Sequence, residues 1–251
     1  MKLLILLPVL RNRAIEDGTR KEISLLNQPN LKYEVRSLPM GPASIESEFD
    51  DQIATPWALE EIVKAEQDGF EAVFVSCMRD VAVRAAREIV RIPVVGPSQT
   101  CMAVATTLGD KFGVVTVVKN TVPFFIRKAR EHGLTENLAG VRSIEIPVLD
   151  LDTRKEEVAE ALAAESQNLV DDYGADTIIF GCTGLVGMAR EVQRRVGVPV
   201  LDPTPIAVKY AELLVATGTT HSIHAFPKPP PKLRKLPEGM SLGTSAATVK
   251  A

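Results

Sequence analysis

The chain lacks several features that would assign it to a simple class. It has no marked excess of charge: 29 Lys and Arg stand against 32 Asp and Glu in 251 residues, a formal net charge of -3. A near-neutral balance of this kind offers no electrostatic footprint for nucleic acid. Cysteine is scarce, with only Cys77, Cys101 and Cys182, too few for a disulfide framework. Three thiols fit a reducing compartment, where a cysteine is kept for its reactivity or as a small hydrophobe. No stretch approaches the ~18 consecutive apolar residues that a membrane span requires. The short run Leu3 to Leu7 is closed by Pro8 and followed by Arg11 and Arg13, too brief for a signal-peptide core. A cytoplasmic location with no membrane partner is expected. There is neither a G-x-G-x-x-G nor a P-loop, and the pair His221 and His224 has no third ligand nearby. No metal and no nucleotide-type cofactor are therefore expected.

What is present is an ordinary globular composition, 45% apolar and 24% charged, which excludes disorder, collagen-like repeats and a disulfide scaffold. The length suits one large domain or two lobes of roughly 100–120 residues. Short apolar, β-branched runs at 2–7, 33–37, 72–76, 94–95, 112–117, 143–146, 177–180 and 198–201 read as strands. Amphipathic stretches at 56–67, 81–90, 122–132, 156–170 and 188–196 read as helices. Buried strands alternating with helices indicate βαβ units and a parallel sheet, so the class is α/β. Ligands of such sheets bind beyond the carboxyl ends of the strands, and chemistry should be sought just after each one. The acidic run Glu46, Glu48, Asp50, Asp51 reads as a solvated loop leading into the helix that holds Trp57.

The chain also repeats itself. Phe74-Val75-Ser76-Cys77 is followed by a helix and by Ile92-Pro93-Val94-Val95-Gly96-Pro97. Ile179-Phe180-Gly181-Cys182 is followed by a helix and by Val198-Pro199-Val200-Leu201-Asp202-Pro203. After each final proline a further helix begins, at 98–108 and 204–215. The matched pattern points to two pseudo-symmetric lobes, each a mostly parallel sheet flanked by helices, with the active site in the cleft between them. Residues 1–97 with 204–217 form the first lobe on this reading, and 98–203 the second; the closing helix may cross over. The segment Pro227 to Lys232, with Pro229, Pro230 and Pro231, cannot be helix or central strand, and residues 221–251 read as a Pro-rich tail outside the core.

Two thiols at equivalent strand ends suit a two-base site. One thiolate removes a proton from a carbon beside a carbonyl, and a thiol on the opposite face returns one, inverting the centre. The free thiol pKa of ~8.5 is expected to fall at a helix N-terminus, whose N–H groups would also hold an enolate oxygen. Packing is the competing role for any buried cysteine. Cys101, inside a helix and without a counterpart, reads as a core residue.

The segments Val73 to Cys77 and Ile178 to Gly184 resemble the paired cysteine motifs of the aspartate/glutamate racemase superfamily. Cys77-Met78-Arg79-Asp80, Thr107-Leu108-Gly109 with Lys111 to Thr116, and Ala207 to Glu212 are similar to its hydantoin and allantoin racemase branch. The likeness runs from about Lys2 to Thr217. It departs from the branch where an Asn-Pro signature is reduced to Leu7-Pro8, and where Asp80 lacks a following Pro-Gly. The resemblance implies Cys77 and Cys182 as acid/base catalysts. It places Pro8, Ser76, Met78, Asp80, Thr116, Asn120, Pro123, Thr183 and Gly184 around the substrate. For Asp80 and Thr183, helix capping is an alternative or additional role. The implied activity is cofactor-independent racemisation or epimerisation of a small carbonyl compound, hydantoin-like or an amino-acid derivative, by a homo-oligomer. Maleate isomerase-like chemistry, a related decarboxylase, or a non-catalytic small-molecule-binding protein on the same fold are the alternatives.

Overall fold

The computed structural model describes residues 1–26, 28–236, 240 and 242. Two four-stranded sheets, all parallel, carry the same strand order. The first comprises β1 (Lys2–Leu10), β2 (Lys32–Leu38), β3 (Ala72–Val75) and β4 (Val94–Val95), ordered β2-β1-β3-β4. The second comprises β5 (Phe112–Thr116), β6 (Leu138–Ser143), β7 (Thr177–Phe180) and β8 (Val200–Leu201), ordered β6-β5-β7-β8. The central strands are buried on both faces, as their unbroken apolar sequences require: Leu3 to Leu6, Ala72 to Val75 and Ile178 to Phe180 are essentially inaccessible. In each sheet the chain winds outward in one direction from the first strand and in the other from the second. The carboxyl ends of β1 and β3, and of β5 and β7, are thus the two switch points where an open parallel sheet leaves a crevice.

Eight α-helices surround the sheets among the described residues: α1 (Arg13–Ser24), α2 (Glu48–Gln67), α3 (Val83–Ile89), α4 (Pro97–Ala105), α5 (Val122–Glu131), α6 (Lys155–Tyr173), α7 (Ala189–Val196) and α8 (Pro203–Ala216). Proline opens α4 and α8, where its missing N–H and fixed φ cost nothing. These two helices are exchanged. Cys101, Met102 and Ala105 of α4 pack with Phe112, Val114 and Ile179 of the second sheet. Ala207, Val208 and Ala211 of α8 pack with Leu3, Ile5 and Phe74 of the first. Each lobe thereby completes its core with a helix that follows the other lobe's strand in sequence or contact, and α4 and α8 also touch one another.

Three expectations need correction, and one helix is an addition. Helix α1 is opened by Asn12, which accepts from the N–H groups of Ala14 and Ile15 at 3.0 and 3.4 Å. Helix α2 begins eight residues before Pro56, because Ser47 caps it and Glu48, Asp50 and Asp51 form its first turn. The acidic run is therefore not a solvated loop. Strand β6 lies at 138–143 rather than 143–146. It is a half-buried edge strand that needs no apolar run; beyond it Glu145 has φ +55, and the Ile144 and Ile146 N–H groups still donate to the Thr116 and Val117 carbonyls at 3.0 and 3.2 Å. The segment after α8 is not wholly free either. Thr220 Oγ1 donates to the Arg91 carbonyl at 2.7 Å, and His221 Nε2 accepts from the Val94 N–H at 2.8 Å. Phe226 meets the His221 ring edge-on at 5.8 Å and lies 5.5 Å from the Arg84 and Arg87 guanidinium groups. Residues 227–236 are then irregular and mostly exposed; most of the remainder of the tail lies outside the described residues.

Burial and the neighbouring Arg87 push the His221 imidazole down to about 4. A lowered histidine pKa contributes stability that is complete above about pH 6.5 and lost as pH falls toward 4. Over that interval the protein should lose about 1 kcal/mol, the value of one hydrogen bond at a partly exposed group. His221→Gln keeps an acceptor that does not titrate, so urea unfolding between pH 6.5 and 4 should show a flatter profile. An equally steep loss in the variant would show that His221 is not the titrating group.

Candidate active site

The cysteines follow directly from the two central strands. Ser76 N–H still donates to the Leu6 carbonyl at 2.8 Å, the last rung of β3, and Cys77 comes next. Gly181 N–H donates to the Val115 carbonyl at 2.7 Å, the last rung of β7, and Cys182 comes next. The two strand ends therefore deliver their thiols from facing switch points into one cavity of about 500 Å³ between the lobes. Both cysteines are partly exposed, whereas Cys101 is buried in the core of the second lobe. The Thr183 hydroxyl donates to the Ser76 carbonyl across the cleft at 3.1 Å, tying one cysteine turn to the other.

Neither thiol lies at a helix N-terminus. Helix α3 starts at Val83 and α7 at Ala189, each six or seven residues later, and tight turns intervene. The local donors are turn amides: the backbone N–H of Arg79 toward Cys77, and that of Gly184 to Cys182 Sγ at 3.3 Å. These do not offset desolvation. Burial pushes the Cys77 thiol up to about 12, with Asp51 adding to the rise, and the Cys182 thiol up to about 11. The expected lowering is thus reversed: away from substrate, both groups are protonated thiols at neutral pH.

Pro8, Ser76, Met78, Thr183 and Gly184 line the cavity with the two cysteines. Pro8 sits at an irregularity in the pairing of β1 with β2, between Leu7 and Leu10, where a proline's missing donor is tolerated. Four other expected residues do not line it. Asp80, at φ +54, turns back and accepts from the N–H groups of Ser98 and Gln99 at 2.9 and 3.0 Å. It caps α4 rather than the helix that follows it, because Gly96 leaves that N-terminus without a side-chain cap. Thr116 is fully buried and bonds the Thr121 hydroxyl at 2.7 Å. It lies beneath Gly181, where an added Cβ would come within 2.8 Å of the Thr116 Cβ. Its role is to support the second cysteine turn. Asn120 and Pro123 face outward and are exposed, because the turn at 119–121 directs Thr121 into the cavity instead.

The cavity walls also hold residues that sequence reasoning missed. Asn12, Thr19 and Lys21 come from α1 and its cap, Ser44 and Ile45 from the segment after β2, and Leu149 and Asp152 from the turns before α6, with Lys155 at its first residue. An Asn immediately before a helix is a recognisable cap signal; the others depend on tertiary placement. Arg79 reaches the cavity as well, with its guanidinium held by Asp51 at 3.2 Å and Glu48 at 2.6 Å and stacked 4.3 Å from the Phe124 ring. Glu48 also accepts from Arg127 at 2.8 Å, and Glu46 accepts from the Val148 N–H at 2.8 Å. These bonds join α2 and the segment before it to the second lobe. Most of the remaining lining is aliphatic, including Leu7, Val9, Ile15, Val117 and Val186.

Two parallel-sheet lobes, an interlobe cavity and a cysteine at each facing strand end define a two-lobed α/β protein with paired thiols at its cleft. Residues 13–211 match the family described as Asp/Glu/Hydantoin racemase, and the chain belongs to that family. It is 34% identical over 179 residues to a hydantoin racemase of Pseudomonas sp. (strain NS671), covering 71% of this chain and 72% of that one. A hydantoin racemase of Rhizobium meliloti is 33% identical over 190 residues, covering 74% and 79%. The solved allantoin racemase from Klebsiella pneumoniae superposes with a TM-score of 0.89 at 27% identity, covering 96% of this chain and 98% of that one.

The Asp80 carboxyl fills the space over Gly96, where an added Cβ would lie 2.5 Å from it. Gly96→Ala should cost about 2 kcal/mol by overpacking, and Asp80→Ala about 1–2 kcal/mol through loss of the cap. The double variant should be little worse than either alone, since the clash disappears with the carboxylate. Chemical denaturation of the four proteins checks this; simple additivity would show that the two residues do not interact.

Proposed function

We propose that the protein is an isomerase that racemises a small cyclic carbonyl compound, a hydantoin bearing an apolar substituent, by proton transfer between Cys77 and Cys182. The observation that carries this reading is that both thiols open into one cavity from opposing lobes. A ring held between them presents opposite faces of its acidic carbon to the two sulfur atoms. One sulfur, as thiolate, takes the proton from that carbon, and the electron pair moves onto the adjacent carbonyl oxygen. The other, still a thiol, delivers its proton to the opposite face, and the carbonyl reforms. One proton enters and one leaves, so the net change is inversion alone. Turn amides at Arg79 and Gly184 are the donors nearest each sulfur, and each steadies the thiolate when that cysteine acts as base.

The character of the cavity supports a neutral substrate over a dicarboxylate. Its cations are Lys21, Arg79 and Lys155; Arg79 is already paired with two carboxylates, and Lys155 with Asp152 at 2.5 Å. The aliphatic lining offers burial to a substituent and little to a second carboxylate. The racemases to which the chain is similar, named for hydantoin and for allantoin, are consistent with a cyclic ureide. Both of those rings carry an exchangeable C–H beside a carbonyl.

Cys77→Ser and Cys182→Ser should each lower racemisation of an apolar 5-substituted hydantoin about 1000-fold or more, a transition-state loss of about 4 kcal/mol. Each should still exchange the ring proton of one enantiomer in deuterated water, the one facing the remaining cysteine. Parent-like turnover in both variants would reject the mechanism, and fumarate formation from maleate would favour the isomerase alternative. Because both thiols are held above their usual range, the rate should rise about tenfold per pH unit from 7 to 9, after subtraction of spontaneous racemisation. A plateau beginning below pH 8 would indicate a base with a normal or lowered pKa instead.

A further inference from the structure

The two lobes anchor their cysteine turns in opposite ways. In the first, a carboxylate on the turn, Asp80, reaches over Gly96 to the proline-led helix α4. In the second, the carboxylate stands at the position matching Gly96: Asp202 caps α8 through the Thr204 N–H at 3.3 Å. The backbone N–H of Gly187, in the turn that follows Cys182, faces it and favours its charged form. Asp202 has a neighbour with no counterpart in the first lobe. Glu22, on α1, is 3% exposed, and neither of its carboxyl oxygens has a conventional hydrogen-bond partner; the Thr204 hydroxyl is likewise buried and unsatisfied. The charged group acting on Glu22 is Asp202, and Cys182 lies within its electrostatic reach. Charges elsewhere on the packed elements are engaged away from it. Lys209 and Glu212 of α8 pair with each other, Arg36 of β2 pairs with Glu34 and Asp68, and on α1 itself Glu16 pairs with Arg20 while Lys21 lines the cavity.

Two carboxylates in one dry space cannot both remain charged. We infer that Glu22 and Asp202 share one proton, and that this bond pins α1, a wall of the cavity, to the turn carrying Cys182, so that Glu22 is a positioning residue for the second thiol. This rests on the racemase reading only for its catalytic consequence. A proton on Glu22 supplies the missing donor, Asp202 accepts it, and Asp202 in turn faces the Gly187 amide. Burial and the Asp202 charge together raise the Glu22 carboxyl to about 9, so the proton is retained at neutral pH. With the folded pKa raised above the unfolded value, the pair's stabilising contribution is complete below about pH 4.5 and is lost as pH rises toward 9.

The test compares the parent with Glu22→Gln, which donates to Asp202 at every pH, and Glu22→Ala, which cannot. From pH 5 to 9 the melting temperature of the parent should fall relative to that of Glu22→Gln, opening a gap of roughly 5 °C. Parallel curves would overturn the shared proton. At pH 7, amide hydrogen exchange in residues 183–188 should be parent-like in Glu22→Gln and at least about tenfold faster in Glu22→Ala, with residues 77–82 unchanged in both. Equal protection of 183–188 in all three proteins would overturn the positioning role. If Glu22→Ala fails to fold, Asp202→Asn takes its place: it should flatten the pH dependence of the melting temperature, and an unaltered slope would count against the pair. None of these readouts uses a substrate, so failure to turn over any hydantoin would strike the proposed function and leave this inference standing.

Discussion

The site depends on holding two separate sheets so that their switch points stay opposed around one cavity. The exchange of α4 and α8 imposes this constraint. Each helix buries its apolar face on a sheet other than the one its sequence position suggests, so the lobes cannot part without exposing both cores. Burial of the apolar side chains on α4 and α8 is worth about 1.5–3 kcal/mol for each large one, more than the surface charge pairs that also span the lobes. The polar bridges through Glu46, Glu48 and Thr183 add direction to that attraction rather than much strength. They set how closely the lobes approach and which turns face one another.

Burial has a chemical consequence as well. Burial between the lobes deprives the two thiols of much of the solvation an anion needs, and a single turn amide apiece does not replace it. The resting protein therefore keeps both sulfur atoms protonated, and much of the anchoring around them is done by carboxyl groups. Asp80 and Asp202 each stabilise the amide-rich start of a proline-led helix, and each restrains a cysteine turn. The duplicated halves reach this arrangement from opposite sides, with carboxylate and glycine exchanged between turn and cap.

Much of this was legible in the chain. The buried strands, with the exception of β6, announced themselves as β-branched runs, and the repeated Ile/Val-Pro-Val strands with matched cysteines exposed the duplication. The cavity lining was legible at Pro8, Ser76, Met78, Thr183 and Gly184, because the carboxyl ends of parallel strands open onto the crevice. It was misleading at Asp80, Thr116, Asn120 and Pro123. There the direction of a side chain is set by one or two backbone angles, such as the positive φ of Asp80, which local sequence does not encode. The acidic segment around Glu48 was read as solvated because charge usually is; its partners Arg79 and Arg127 lie far away in sequence. Helix α1 was harder to read because the face it buries includes the polar Glu16, Thr19 and Glu22 beside Ile23.

Sequence alone determined the α/β class, the twofold repetition, the strand ends that bear the thiols and the likeness to a racemase family, since all of these are written in local pattern and spacing. Only the tertiary structure decided that α1 walls the cavity, that the thiols are raised rather than lowered, and that Glu22 meets Asp202. Each of those outcomes is governed by how much water remains around a group once distant segments have closed over it. Solvent exclusion is a property of the assembled fold, to which no short stretch of chain contributes by itself.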